Sequence, residues 1–325
     1  MLKPLHGPEP ELATKLAGFL DQGYAGTIEM VCGVSRADDP ALAAVPAAAH
    51  AVIDPARHGS NAKVSNLINM MREASGEILI LSDSDMAVPR DYAALTIAAL
   101  EEPGVGAVTL LYAGHGETNG WSRMAAAGIS WGFMPSVMVG LATGLAKPCM
   151  GSTIAMRRAT LDAIGGFERF KDLLADDNAI GMAVRELGLK VVVPPPIVTH
   201  GCTETSLSAL AAHELRWNTT VRMLDPAGYA GSVVTYPLVW GLLACTTGAG
   251  WWVPFVALLA RLALAERIDL ITGRRTAPLW WLPARDLLSF GLYVGAFFTR
   301  RVDWRGARLH MAQDGRMTAE PETRT

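Results

Sequence analysis

Two carboxylates one residue apart close the run Ile78-Leu79-Ile80-Leu81-Ser82-Asp83-Ser84-Asp85. The apolar part is short, uncharged and partly β-branched, which reads as a buried strand. Side chains two apart on a strand share a face. Asp83 and Asp85 therefore leave the strand end on one side, or turn into the following loop together. Paired hard oxygen donors at the carboxyl end of a parallel strand suit a divalent metal that also grips a diphosphate. The same spacing also fits a polar turn after a strand. A second carboxylate pair, Asp176-Asp177, precedes the stretch Asn178–Leu187, where one of the two side chains is expected to cap a helix.

The elements that must position these groups alternate over residues 1 to about 225. Glu9–Gln22 is amphipathic, with Leu12, Leu16, Phe19 and Leu20 on one side. Ile28–Val34 reads as a strand, the Ala-rich Ala41–His50 as a helix, and Val52-Ile53 as a short strand ending at Asp54-Pro55. A helix over Lys63–Glu73 carries Val64, Leu67, Ile68 and Met71 as its apolar face. The strand Ile78–Leu81, a helix over Asp91–Leu100 and a strand over Val105–Leu111 follow. This rhythm predicts an α/β fold with a Rossmann-like, mostly parallel, doubly wound sheet. Ligands of such sheets bind at the carboxyl ends of the strands. Gly128–Lys147 is a long apolar stretch that suits either a membrane-adjacent helix or core.

Composition narrows the partners. Of 325 residues, 50% are hydrophobic and 18% charged, against about a quarter charged in an ordinary soluble domain. The net charge of −3 gives nucleic acid no footing as a partner. Cys32, Cys149, Cys202 and Cys245 are scattered, with neither metal-ligand spacing nor a disulfide framework. Lys3, Pro4 and His6 interrupt any signal-peptide core. No charged residue occurs from Pro226 to Ala260. A bilayer core of about 30 Å needs roughly 20 apolar residues per helix. Tyr229–Thr247 and Trp251–Ala265 are expected as membrane stretches joined at Gly248-Ala249-Gly250. Leu287–Thr299 is a third, which spans, re-enters or lies in the interface. Trp251, Trp252, Trp280, Trp281 and Trp304 sit at the edges, where interfacial aromatics belong. If Arg267, Arg274 and Arg275 are cytoplasmic, residues 1–225 are too. Arg300, Arg301, Arg305 and Arg308 conflict with that arrangement if the third stretch spans fully. The expected organisation is a catalytic part over 1–225, membrane-associated helices over 226–300 and a polar tail over 301–325, disordered from Gln313 onward.

Several motifs occur in a fixed order: Lys3-Pro4-Leu5, Gly33-Val34-Ser35-Arg36-Ala37-Asp38-Asp39-Pro40, His58-Gly59-Ser60-Asn61-Ala62-Lys63, Asp83-Ser84-Asp85, Gly151-Ser152-Thr153, Gly165-Gly166-Phe167, Leu174-Ala175-Asp176-Asp177 and His213-Glu214-Leu215-Arg216-Trp217. Over roughly residues 1–310 this order resembles glycosyltransferases of the family 2 type. Within them it resembles the ceramide glucosyltransferase-like group, and most of all the bacterial hopanoid-biosynthesis-associated glycosyltransferases. The resemblance implies a GT-A fold and inverting transfer from UDP-GlcNAc or UDP-glucose to a hydroxyl of a membrane lipid, hopanoid or ceramide-like. It places the chain at the bacterial inner (cytoplasmic) membrane with its active site facing the cytoplasm. Asp85, with Asp83 near it, would hold Mg²⁺ or Mn²⁺. Asp177 would be the general base, since single displacement needs one. Arg216 would meet the diphosphate and Trp217 the acceptor or sugar; a snorkelling arginine on an amphipathic helix is the alternative. Asp38 or, by preference, Asp39 would contact the uracil, unless it only serves the turn before Pro40, and Lys63 would contact the nucleotide. His213 stands where the family usually has Gln or Arg, and Arg36 where many relatives carry Asp. Met1 falls inside the expected first strand, where relatives have a preceding transmembrane helix, so the resemblance implies a truncated chain or a start at an internal Met. A polysaccharide synthase would need more membrane helices, and a non-catalytic membrane-bound sugar-nucleotide binder is the other class considered.

Overall fold

The computed structural model describes residues 1–299 and the segments 301–304, 307–311 and 317–319. In chain order its first ten strands are β1 (Leu2–Pro4), β2 (Val31–Val34), β3 (His50–Ile53), β4 (Ile78–Leu81), β5 (Met86–Ala87), β6 (Val105–Thr109), β7 (Leu111–Gly116), β8 (Ile154–Arg157), β9 (Lys190–Val192) and β10 (Ile197–Cys202). Two compact units form: Met1–Tyr112 with Gly140–Gly201, and Ala113–Val139 with the chain from Cys202 onward. The boundary expected near residue 225 falls inside the second unit.

The first unit is built on a seven-stranded sheet of order β3-β2-β1-β4-β8-β6-β9. β1, β2, β3 and β4 run parallel, as do β6 and β9. β8 runs antiparallel between β4 and β6. That reversal matters for the site. Ile154, the first residue of β8, pairs with Leu81, the last of β4. Residues just before β8 therefore lie at the sheet end where the acidic motif leaves β4. Both faces of the sheet are buried. Leu79, Leu81, Val31, Ile154 and Met156 pack on one side with Val64 and Leu67, and Ile80, Cys32 and Ala155 pack on the other with Leu16 and Phe19. A strand covered on both faces needs apolar residues at every position, which is why Ile78–Leu81 shows no alternation.

Ala41–His50 does not form the expected helix. Pro40–Ala44 is a 3₁₀ turn, Val45 is extended, and β3 begins at His50. Pro46 is the physical reason, because the residue before a proline is pushed out of the helical region.

The second unit is mainly helical: Gly120–Gly128, Leu207–Leu224, Pro226–Gly231, Pro237–Thr246, Trp252–Thr272 and Leu282–Phe298. The expected membrane stretches take these forms. Among the described residues one helical run is long and apolar enough to cross a bilayer: Gly120–Gly128 continues through the π-turn Ile129–Phe133 into Met134–Thr143, 24 residues in all. The expected span Tyr229–Thr247 is broken: Pro226–Thr235 and Pro237–Thr246 meet at 69°. Pro237 lacks an amide donor and displaces Tyr236 from helical geometry (φ −110, ψ 60). The helix Trp252–Thr272 carries Arg261, Glu266, Arg267 and Asp269, and Leu282–Phe298 carries Arg285 and Asp286. Arg261, Asp269, Arg285 and Asp286 are used internally. Arg261 holds Asp286 through two hydrogen bonds of 2.9 and 2.8 Å, and Asp269 accepts from Trp131 Nε1 at 3.0 Å. In the polar tail, Arg301–Trp304, Ala307–Met311 and Met317–Ala319 form an antiparallel three-stranded sheet, although Met317–Ala319 lies in the stretch expected to be disordered. The rest of the expected disordered end lies outside the described residues.

Candidate active site

Four segments of the first unit bring three charged side-chain groups and one backbone amide to the carboxyl end of β4. β4 itself delivers Asp83. Lys63 comes from the first turn of the helix Ala62–Met70, whose cap residue Asn61 accepts from Val64 N at 3.1 Å. The amide of Asn61 donates to Leu173 O at 2.7 Å and to Asp176 Oδ1 at 3.3 Å, joining that cap to the start of the helix Asp176–Glu186. Lys63 Nζ lies 2.6 Å from Asp83 Oδ1 and 3.6 Å from Asp176 Oδ2. Gly151, brought in by the reversal at β8, donates its N–H to Asp177 Oδ2 at 3.0 Å. A Cβ on Gly151 would lie 3.0 Å from Asp83 Oδ2, 3.3 Å from Lys63 Nζ and 3.5 Å from Asp177 Oδ2. The glycine thus keeps open a small space ringed by two carboxylates and an ammonium.

The two adjacent carboxylates have different employment. Asp176 is 5% exposed and tied to Asn61 and Lys63. Asp177 is only partly buried and accepts from the amides of Gly151 and Asn178. Neither side chain caps the helix as expected; Ala175 is the cap residue, and both acids sit in the first turn, where the helix dipole favours them. Burial is the main cause that raises both carboxyls above the usual range, and the charge of Asp176 raises Asp177 further, to about 6. Burial by itself would depress Lys63, but Asp176 and Asp83 outweigh it and hold the ammonium above the ordinary lysine range.

Asp85 follows on the loop into β5, which pairs antiparallel with β10. Asp85 Oδ1 is buried with no hydrogen-bond partner, and Oδ2 lies 3.6 Å from His200 Nδ1. An orphaned buried carboxylate oxygen is costly unless something fills it. No group of three His, Cys, Asp or Glu among the described residues forms an all-protein cage. A Mg²⁺-type ion shared with a diphosphate needs only one or two carboxylates. Asp85 with Asp83, beside the space at Gly151, fits that donor set. His200 was not singled out by sequence reasoning; only the β5–β10 pairing places it here.

The remaining expected residues lie elsewhere. Asp39 is buried in its turn, where Oδ1 accepts from Gly7 N and Ala41 N, both at 2.9 Å. His213, Arg216 and Trp217 belong to the second unit, on the helix Leu207–Leu224. There His213 Nδ1 pairs with Glu204 Oε1, and its ring meets Trp217 edge-on at 4.4 Å. Glu214 pairs with the buried Arg285. The second unit also holds a cleft of about 450 Å³ lined by Asn119, Gly120, Trp121, Met124, Thr205 and Trp281.

Compared with known families, residues 1–317 match Glycosyl transferase family 21. The chain belongs to this family. It is a glycosyltransferase with a GT-A-like α/β fold. Among solved structures it is similar to a mannosyltransferase from Pyrobaculum calidifontis in complex with GDP-Man and Mn²⁺, at 20% identity and a TM-score of 0.51, over 91% of this chain and 86% of that one. A glucosyl-3-phosphoglycerate synthase from Mycobacterium tuberculosis, in complex with Mn²⁺, UDP and phosphoglyceric acid, matches at 17% identity and a TM-score of 0.43, over 68% of this chain and 76% of that one. At these identities the first likeness speaks for the fold alone.

Proposed function

We propose that this family 21 glycosyltransferase moves a sugar from UDP-GlcNAc or UDP-glucose to a hydroxyl of a membrane lipid, hopanoid or ceramide-like, with inversion. The observation that carries the reading is Asp177. It is a partly exposed carboxylate raised to about 6, oriented by Gly151 N–H, beside Asp83 and Lys63 at the strand ends. A base poised near neutral pH is what single displacement needs. The acceptor oxygen attacks the anomeric carbon, the bond from that carbon to the diphosphate oxygen breaks, UDP leaves with the electron pair, and the hydroxyl proton passes to Asp177. Asp85 and Asp83 would hold Mg²⁺ or Mn²⁺, which supplies charge neutralisation on the departing diphosphate. Lys63 holds Asp83 in place through its 2.6 Å contact. The family resemblance assigns Arg216 to the diphosphate and Trp217 to the acceptor or sugar; within the second unit His213, paired with Glu204, packs edge-on against that indole. Asp39 shapes the nucleotide side through its turn.

The lipid acceptor and the cytoplasmic face of the bacterial inner membrane are proposed on the family resemblance, and the second unit's exposed apolar surface supports a membrane contact. Trp251 is 75% and Trp252 68% exposed at the head of a helix, inside a stretch without charge. The test is transfer in detergent, with UDP-GlcNAc or UDP-glucose, Mg²⁺ or Mn²⁺, and hopanoid or ceramide acceptors, read by mass spectrometry. A glycolipid lost in Asp177→Asn supports the proposal. Metal-dependent UDP binding with no product from any pair sinks it in favour of a sugar-nucleotide binder.

A further inference from the structure

The turn between β4 and β5 is gripped from beneath by two charged side chains of the first eleven residues. Lys3, on β1, is 0% exposed. Its Nζ donates to the carbonyl of Asp83 at 2.6 Å and to Ser82 Oγ at 3.3 Å, and lies 3.7 Å over the ring of Phe19. Glu9 accepts from Ser84 Oγ through Oε1, while its Oε2 is buried with no partner. An ammonium in a sheet core is expensive unless its hydrogen bonds repay the lost water. An apolar residue would serve the packing of β1 better, so the contacts must justify the charge. They fall on both sides of one peptide link: Lys3 takes the carbonyl of Asp83, and Glu9 takes the side chain of Ser84. The Asp83 carboxylate stays with Lys63 and beside Gly151, and Asp85 Oδ1 stays unpartnered.

We infer that Lys3 and Glu9 are positioning residues that clamp the Asp83–Asp85 turn in the geometry that receives a divalent cation shared with a nucleotide diphosphate. They hold the main chain and Ser84, and neither is a ligand. This rests on the metal-and-nucleotide reading above. Partners that orient ligands from behind typically contribute 10- to 100-fold in metal affinity.

The test is Mn²⁺ binding to the full chain in detergent, with and without UDP, followed by the spectroscopic signal of free Mn²⁺, with circular dichroism to verify folding. Lys3→Met and Glu9→Ala should each raise the half-saturating Mn²⁺ in the presence of UDP by about tenfold or more. Glu9→Gln keeps an acceptor for Ser84 and should restore near wild-type binding, a rescue that a general loss of stability would not show. If Lys3→Met does not fold, the Glu9→Ala and Glu9→Gln pair decides alone. Folded variants that bind Mn²⁺ and UDP as the wild type does overturn the clamp and leave the donor site intact. A wild type with no UDP-dependent Mn²⁺ binding overturns both readings.

Discussion

Asp176 and Asp177 show how one backbone step separates a structural carboxylate from a chemical one. Asp176 is spent on Asn61 and Lys63, while Asp177 is held by two amides and partly faces solvent. Asp177→Asn should lower turnover by roughly 10²–10⁴-fold while leaving UDP-dependent Mn²⁺ binding within a few-fold; a variant that keeps its turnover removes Asp177 as the base. The pH dependence has a defined sign. A carboxyl raised to about 6 stays protonated, and useless as a base, up to that pH. kcat/KM should therefore fall on the acid side through about pH 6. The limb in kcat should lie lower, because a bound cation favours the ionised carboxylate. In stability the folded chain retains a proton that the unfolded chain gives up at a lower pH. The burial of Asp177 thus costs stability above about 6, and that cost is relieved as pH falls towards the ordinary carboxylate range. Gly151→Ala would push a methyl against Asp83 Oδ2 and Lys63 Nζ. Its expected signature is a donor KM raised about tenfold, of the size seen when a metal site's supporting contacts are disturbed, with little change in melting temperature. At this scale the Asp83-Asp85 spacing and the Asp176-Asp177 pair were legible because each is a local pattern. The amide of Gly151 on Asp177 and that of Asn61 on Asp176 were not, because they join residues 26 and 115 apart.

Elements set which of these contacts can exist. The uncharged Ile78–Leu81 run announced a strand buried on both faces, and the alternation of helix and strand announced the parallel sheet around it. The antiparallel β8 was not legible, because its apolar residues look alike in either direction; only pairing with β4 and β6 fixes its sense. The helix expected over Ala41–His50 failed for a local reason, Pro46. The charged residues of the C-terminal helices were legible, but not that Arg261 and Asp286 pair with each other across two of those helices, because they lie far apart in sequence. Two predictions belong here. Asn61→Ala removes the cap of the Lys63 helix and leaves the Leu173 carbonyl without its donor. It should cost about 2 kcal/mol, seen as a lower denaturant midpoint at an unchanged slope. Asp286→Ala leaves the part-buried Arg261 guanidinium with the Trp131 carbonyl but without its carboxylate, and should cost about 2–3 kcal/mol. A loss below about 1 kcal/mol, within the range of exposed ion pairs, would show that this pair does not join the two helices.

For the whole molecule the question is where a chain that is 50% hydrophobic and 18% charged puts its apolar surface. The first unit spends it on two packed clusters, one on each face of the sheet. The second unit does not bury all of its share. Trp240, Leu243, Trp251, Trp252, Phe255 and Val256 are exposed on the paired helices Pro237–Thr246 and Trp252–Thr272. No charge interrupts the sequence from Pro226 to Ala260. An apolar surface of this kind, rich in tryptophan, suits the headgroup level of a bilayer. The 69° break at Pro237 suits a hairpin lying in that layer better than a straight crossing. Burying one large apolar side chain is worth roughly 1.5–3 kcal/mol, and about 1.4 kcal/mol is a factor of ten in an equilibrium. Replacing Trp251 and Trp252 together by Ser should therefore weaken flotation with liposomes by more than about tenfold. The intact first unit predicts that UDP-dependent Mn²⁺ binding is unchanged in the same variant. Equal flotation of variant and wild type would remove this surface from the membrane contact and shift the test to Gly120–Thr143 and Leu282–Phe298.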